Sequence, residues 1–242
     1  MIVQRRTLAS EVEISGLGLH SGQPVTITLH PGEHGIAFRV GSERVEAKPQ
    51  NVSGTHRCTC LGPVATVEHM MSALAGLQVT DVEIVVDGPE MPAMDGSAWP
   101  FLQILPGVGF SALASREHAD LFQRVYCHAG DAKIAIRKGG GHWRCSYVTA
   151  PRWPMEQVAE YPNVVAAYAG EIAPARTIVL EEEIPVAKTL GLGRGLDSES
   201  VLVLGASDYI GAARFPEEPA RHKLLDLIGD LYLAGIPISY LD

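Results

Sequence analysis

The sequence predicts an α+β fold in two domains, each a small sheet covered by helices. Three observations carry this. Each half of the chain mixes short strand-like runs with one or two helix-like segments. A stretch rich in Gly, Ser and Ala at residues 106–116 separates the halves and reads as a linker. The length, 242 residues, also suffices for two small domains that each bury a core. The expected boundaries are 1–108 for the first domain and 117–242 for the second.

The elements follow in order. Val25-Thr26-Ile27-Thr28-Leu29-His30 alternates apolar and polar residues, the period of a half-buried strand, and Pro31-Gly32 ends it. Residues 66–75 are rich in helix formers, with Gly76 standing where a C-terminal cap is expected. Residues 81–86 read as a second strand, closed by Asp87-Gly88-Pro89. A short helix is expected after Asp95-Gly96-Ser97, with Ser97 as its N-cap. In the second half, residues 133–137 and 143–148 read as a hairpin around Gly139-Gly140-Gly141. Residues 177–180 and 200–204 read as strands. The strongest helix spans 216–233 and stops at Gly235 and Pro237. Strands grouped with covering helices in each half give the α+β class.

Composition narrows the function. Hydrophobic residues make up 46% and charged residues 19%, which is globular and excludes a disordered chain. A net charge of −9 is the wrong sign for neutralising a phosphate backbone, so no nucleic-acid partner is expected. A negatively charged small substrate still fits a locally basic site. Arg5-Arg6 near the start is not followed by the apolar run of a signal peptide, and no segment approaches the ~20 apolar residues of a spanning helix. A soluble, cytoplasmic monomer is the expectation. The four cysteines, Cys58, Cys60, Cys127 and Cys145, are too few for a disulfide scaffold. In a strand, Cys58 and Cys60 would share a face; small buried residues or a metal role both fit that placement.

The residues that carry chemistry lie on the two helices. In Arg221-His222-Lys223-Leu224-Leu225-Asp226-Leu227-Ile228-Gly229-Asp230, the residues His222, Asp226 and Asp230 recur every fourth position and stack along one face. An imidazole and a carboxylate one turn apart can reach one zinc ion. A solvated stripe with a His–Asp surface pair is the other reading. On the earlier helix Glu68 and His69 are adjacent, and both can border one cleft. His69 would be a third ligand and Glu68 a base that does not bind the metal. Three protein ligands leave a position open for water, the catalytic arrangement. The alternative is a solvated glutamate beside a hydrogen-bonded core histidine.

Taken together, these segments resemble the UDP-3-O-acyl-N-acetylglucosamine deacetylases of bacterial lipid A synthesis. The matching blocks are Gly16-Leu17-Gly18-Leu19-His20-Ser21-Gly22, Thr66-Val67-Glu68-His69, Asp87 through Ala98, Ala175-Arg176-Thr177, and Arg221 through Leu231. They occur in the family's order and span nearly the whole chain. The resemblance implies two similar α+β domains, each with a small mixed sheet, and an active site between them. It implies a metal ion, Zn2+ with Fe2+ as the substitute, held by His69, His222 and Asp226. Glu68 matches the general base and Thr177 the hydroxyl that steadies the oxyanion. Lys223 matches a contact to the nucleotide phosphates. His20 is either near the site or an ordinary loop histidine.

Two departures bear on function. The family pattern runs on past the position of Asp242 with a Gly-His pair, whose histidine has no counterpart in this sequence; Asp230 matches the residue that orients it. The family usually has Phe after the threonine, beside the passage for the acyl chain, where this sequence has Ile178. That is either a plain apolar exchange or an altered acyl pocket. The implied function is removal of an N-acetyl group from a UDP-linked, O-acylated glucosamine or a related N-acyl sugar. The alternative is a catalytically weak family member that serves as a metal-containing binding or regulatory protein.

Overall fold

A computed structural model describes residues 1–242. In chain order the first half contains β1 (Ile2–Leu8), β2 (Val12–Leu17), β3 (Pro24–Pro31), β4 (Ile36–Val40), β5 (Glu43–Glu46), β6 (Val52–Gly54) and β7 (Cys60–Leu61). It continues with α1 (Glu68–Gly76), β8 (Val82–Val86), α2 (Trp99–Ile104) and β9 (Phe110–Glu117). The second half contains β10 (Val125–Ala129), β11 (Ala132–Ile136), β12 (Trp143–Val148), β13 (Glu156–Tyr161), α3 (Val164–Ala167), β14 (Thr177–Leu180), α4 (Ile184–Thr189), β15 (Val201–Leu204), β16 (Tyr209–Ile210) and α5 (Glu218–Tyr232). The α+β class expected from the sequence is the class observed. No helix is long and apolar enough to cross a membrane.

The main sheet has the order β2-β3-β8-β4-β5 and is mixed, with β4 and β8 parallel and its other pairs antiparallel. Alternation in β3 puts Val25, Ile27 and Leu29 on the buried face. Helix α1 is buried along its length from Glu68 to Ala75, as a helix must be when it is covered on several sides. It packs on α5. One hydrophobic cluster of 37 buried residues runs from Leu8 to Leu241 and so draws on both halves of the chain. In the second half β14 and β15 pair in parallel, with α4 between them, and β16 adds antiparallel to β15.

Four sequence expectations need correction. The stretch read as a linker is largely β9, which pairs antiparallel with β1. Its Ser and Ala residues mark an exposed strand face, not a flexible connection. The expected hairpin around Gly139-Gly140-Gly141 does not form, because each strand has a nearer partner. Residues Gly130-Asp131 close a two-residue turn between β10 and β11, while β12 pairs with β13. The glycine run instead lies beside the end of the chain, where the Gly139 and Gly141 amides donate to the Tyr240 and Leu241 carbonyls.

Finally, α1 begins at Glu68 because Thr66 has φ +62°, which no helical residue has. Gly76 closes the helix without capping it; the left-handed residue is Gln78, at φ +56°. Glycine is required at 76 because the ring of Tyr168 lies against its Cα, and any Cβ would overlap that ring. The N-cap of α2 is Ala98, one residue later than expected, and the Ser97 hydroxyl still accepts from the Trp99 amide at 3.1 Å.

Candidate metal centre and active-site cavity

Two helix starts build the centre. Helix α5 opens with Pro219 in its first turn, where a missing N–H costs nothing. Its buried Glu218 accepts from the Arg176 guanidinium at 2.9 Å and from the Arg176 and Arg214 amides at 3.0 and 2.6 Å. This ties Ala175-Arg176-Thr177 to the helix start. The Ala175 carbonyl then accepts from Nδ1 of His222 at 3.1 Å. With Nδ1 carrying the proton, the Nε2 lone pair faces the centre. Burial pushes the His222 imidazole down to about 4, so it is neutral at pH 7, as a ligand must be.

Helix α1 supplies His69 from across the interface. Nε2 of His69 and Nε2 of His222 each lie 3.5 Å from Oδ1 of Asp226. At that length neither contact is a hydrogen bond. Oδ1 of Asp226 is buried and has no partner at all, whereas Oδ2 accepts from Nζ of Lys223 at 2.9 Å. The ligand atoms of His69, His222 and Asp226 all lie within 4.8 Å of one another. An unpartnered buried carboxylate oxygen between two imidazole nitrogens fits a divalent cation. Burial would raise the Asp226 carboxyl, but the surrounding imidazoles and Lys223 hold it well below the usual range, ionised and ready to coordinate.

Two further carboxylates flank the centre. Glu68 is buried, and burial pushes its carboxyl up to about 7. Asp230 is pushed up to about 6 by its enclosure in the protein, although it stays open to the cavity. Thr59, which sequence reasoning passed over, touches both: its amide donates to Oε2 of Glu68 at 3.0 Å and its hydroxyl to Oδ1 of Asp230 at 2.7 Å. Its place between two cysteines carried no local signal of this, since Cys58 and Thr59 lie outside any strand.

The centre opens into a cavity of about 570 Å³. His20, Glu68, His69, Thr177, Ile178, His222, Lys223, Asp226 and Asp230, the site residues named from the two helices and the family resemblance, all line it, whereas of Cys58 and Cys60 only Cys58 does. Away from the charged end, Ile178, Val179, Ile184, Val186, Leu190 and Val203 form an apolar wall contributed by β14, α4 and β15. His20 is held there by its loop, with its own amide and that of Ser21 donating to Glu90. Nδ1 of His20 accepts from the Gly193 amide, and Nε2 is buried without a partner. The Thr177 hydroxyl donates to the Gly96 carbonyl at 3.0 Å, so facing the cavity requires that proton to rotate.

Comparison with known proteins agrees with this geometry. The sequence model of the family described as UDP-3-O-acyl N-acetylglycosamine deacetylase matches residues 5–240. A UDP-3-O-acyl-N-acetylglucosamine deacetylase of Anaeromyxobacter dehalogenans is 36% identical over 248 residues, covering 97% of this chain and 80% of the relative. Enzymes of the same name from Myxococcus xanthus and Neisseria gonorrhoeae are 34% and 30% identical. They match 97% of this chain and 79% and 82% of their own lengths.

Proposed function

The chain belongs to the UDP-3-O-acyl-N-acetylglucosamine deacetylase family, and from that premise we propose that it hydrolyses the N-acetyl amide of a UDP-linked, 3-O-acylated glucosamine with the aid of a bound zinc ion. The observation that carries this reading is the buried, unpartnered Oδ1 of Asp226 between His69 and His222, with Glu68 beside it. His69, His222 and Asp226 would hold the ion; imidazole and carboxylate donors suit Zn2+ and also accept Fe2+. When bound, such an ion acts as a Lewis acid that polarises the amide carbonyl and acidifies water.

The chain's own residues do the rest. Glu68, held by burial near 7 before any cation lowers it, takes a proton from the attacking water and returns it to the departing amine nitrogen. The products are acetate and the free amine. The Thr177 hydroxyl, rotated from the Gly96 carbonyl, donates to the oxygen on which negative charge grows. Lys223, whose ammonium is half-exposed at the cavity and kept charged by Asp226, offers a cation to the diphosphate. The apolar wall around Ile178 receives the 3-O-acyl chain, and His20 borders the sugar.

The test is acetate release from UDP-3-O-acyl-N-acetylglucosamine by zinc-loaded protein. Release is expected from the wild type, with a loss of about 10²–10⁴-fold in Glu68→Gln at unchanged metal content. No release by zinc-loaded wild type, or full activity in Glu68→Gln, would overturn the assignment.

A further inference from the structure

Three carboxylates crowd the polar end of the cavity, and only Asp226 is a proposed ligand. The other two, Glu68 on α1 and Asp230 on α5, come from different helices. No hydrogen bond joins them directly, and the connection runs through Thr59. Its amide donates to Oε2 of Glu68 at 3.0 Å, and its hydroxyl donates to Oδ1 of Asp230 at 2.7 Å. Its carbonyl accepts from the Val67 amide at 3.1 Å, at the residue preceding α1. The residue is only 6% exposed. Every polar group of Thr59 is thus committed, two of the three to carboxylates that border the cavity.

This arrangement has a directional consequence. Oε2 of Glu68 is occupied by the Thr59 amide, so Oε1 is the oxygen left to take up a proton from the cavity. A carboxylate side chain on its own turns about three bonds, and fixing one oxygen removes most of that freedom. The Thr59 amide can be aimed only if Thr59 itself is anchored. On the side facing away from α1 the anchor is the hydroxyl on Asp230, one of the charge-assisted bonds that are the stronger kind. The chain of contacts therefore runs from α5 through Asp230 and Thr59 to the proposed base on α1.

We propose that Thr59 is a positioning residue for the deacetylation, clamping Glu68 and Asp230 in one fixed relation through its amide and its hydroxyl. The inference rests on the functional reading above, in which Glu68 moves the proton. Thr59 acts through that carboxylate, and its hydrogen bonds go to Glu68, Asp230 and Val67, not to the proposed metal ligands. Its hydroxyl is what sequence alone would treat as incidental between two cysteines. The flanking Sγ atoms lie 3.7 Å apart, within reach of each other.

The experiment compares Thr59→Val, which keeps shape and amide but removes the hydroxyl, with Thr59→Ser, which keeps the hydroxyl. Steady-state acetate release is measured on the whole zinc-loaded chain, with metal content determined for each variant. Thr59→Val should lower kcat by about 10–100-fold, the scale of a misplaced catalytic group, with KM within about threefold and metal content unchanged. Thr59→Ser should recover most of the loss. A kcat for Thr59→Val within twofold of wild type would overturn the proposal. So would equal impairment of both variants, which would mark Thr59 as packing only. A crystal structure of Thr59→Val gives a readout independent of turnover. If the wild type releases no acetate, the functional reading fails by itself. The carboxylate positions then still decide: displaced Glu68 and Asp230 uphold the clamp, and unmoved ones refute it.

Discussion

Gly229→Ala probes whether the site depends on how closely α1 and α5 cross. Gly229 lies one residue before Asp230, with the backbone of Glu68 and Ser72 directly on it. An alanine Cβ there would stand 2.9 Å from the Glu68 carbonyl carbon and 3.0 Å from the Ser72 amide nitrogen, and closer still to the Glu68 carbonyl oxygen. Ordinary contact begins at 3.4 Å, so the carbonyl carbon alone asks for about 0.5 Å of separation and its oxygen for more. These are backbone atoms and cannot rotate aside. Overpacking of this kind costs about 1–3 kcal/mol, against which alanine's helix propensity returns up to about 1 kcal/mol. At a net cost of about 1–2 kcal/mol, the middle of that range, the melting temperature should fall by about 2–8 °C. The chemical effect should be larger than the thermal one. Glu68 and His69 ride on α1, while His222, Asp226 and Asp230 ride on α5, and metal bonds tolerate only about 0.2 Å. Zinc affinity, read by chelator competition, should drop at least about tenfold, in line with small displacements of ligands. Acetate release should drop about 10²-fold. A folded Gly229→Ala protein with wild-type zinc affinity and turnover would refute the claim that the centre is assembled by this crossing.

Two other perturbations separate metal binding from stability. His222→Ala removes a proposed ligand whose Nδ1 is already fixed on Ala175; zinc content after dialysis should fall from stoichiometric to near zero, and unchanged content would exclude His222 from the ligand set. Asp81→Asn tests a buried ion pair far from the site, where Asp81 meets the Arg5 guanidinium, the Thr80 hydroxyl and the Gly35 amide. Burial alone would raise the Asp81 carboxyl, but these partners hold it below its ordinary value. Its stabilisation is therefore complete above the unfolded value near ~4 and is lost as pH falls below it. Asp81→Asn should cost about 3 kcal/mol at pH 7 and flatten the fall in melting temperature between pH 5 and 3; an unchanged acid limb would contradict this assignment.

Strands and helices with strong periodicity were legible in the sequence. Val25 to His30 alternates, and the structure buries its apolar face. The spacing of His222, Asp226 and Asp230 placed them along one face of α5, where they now line one cavity. What failed was long-range. Residues 106–116 look like a linker because small residues suit both a loop and an exposed strand, and only the pairing of β9 with β1 decides between them. Gly76 looks like a cap because glycine has two uses, and its contact is with Tyr168, far away in sequence. The role of Gly229 was hidden for the same reason, since nothing local says that α1 crosses there. His69 could be joined to His222 and Asp226 on residue chemistry only as a conjecture, until the crossing brought their ligand atoms within 4.8 Å.

The charge balance of the centre explains why so much of the fold converges on it. Glu68, Asp226 and Asp230 are drawn together where two helices meet, with Lys223 as the ammonium beside them. Both nearby histidines are buried, and His222 is neutral at pH 7. Folding therefore gathers three carboxylates at one cleft, which is unfavourable by itself, and Lys223 together with His69, whose imidazole Asp226 and Glu68 raise against its burial, offsets part of it. The protein relieves part of this by letting Glu68 and Asp230 rise to about 7 and 6, where each is readily protonated. Asp226 goes the other way, staying ionised with one oxygen unpartnered. A divalent cation held by the proposed ligands His69, His222 and Asp226 would relieve the remaining repulsion between the carboxylates and return binding energy to the folded state. The same cation makes the ionised form of Glu68 easier to maintain, which is the form that accepts a proton. The elevated value of Glu68 comes first from its burial, whereas the orphaned oxygen of Asp226 marks where the proposed ion would bind.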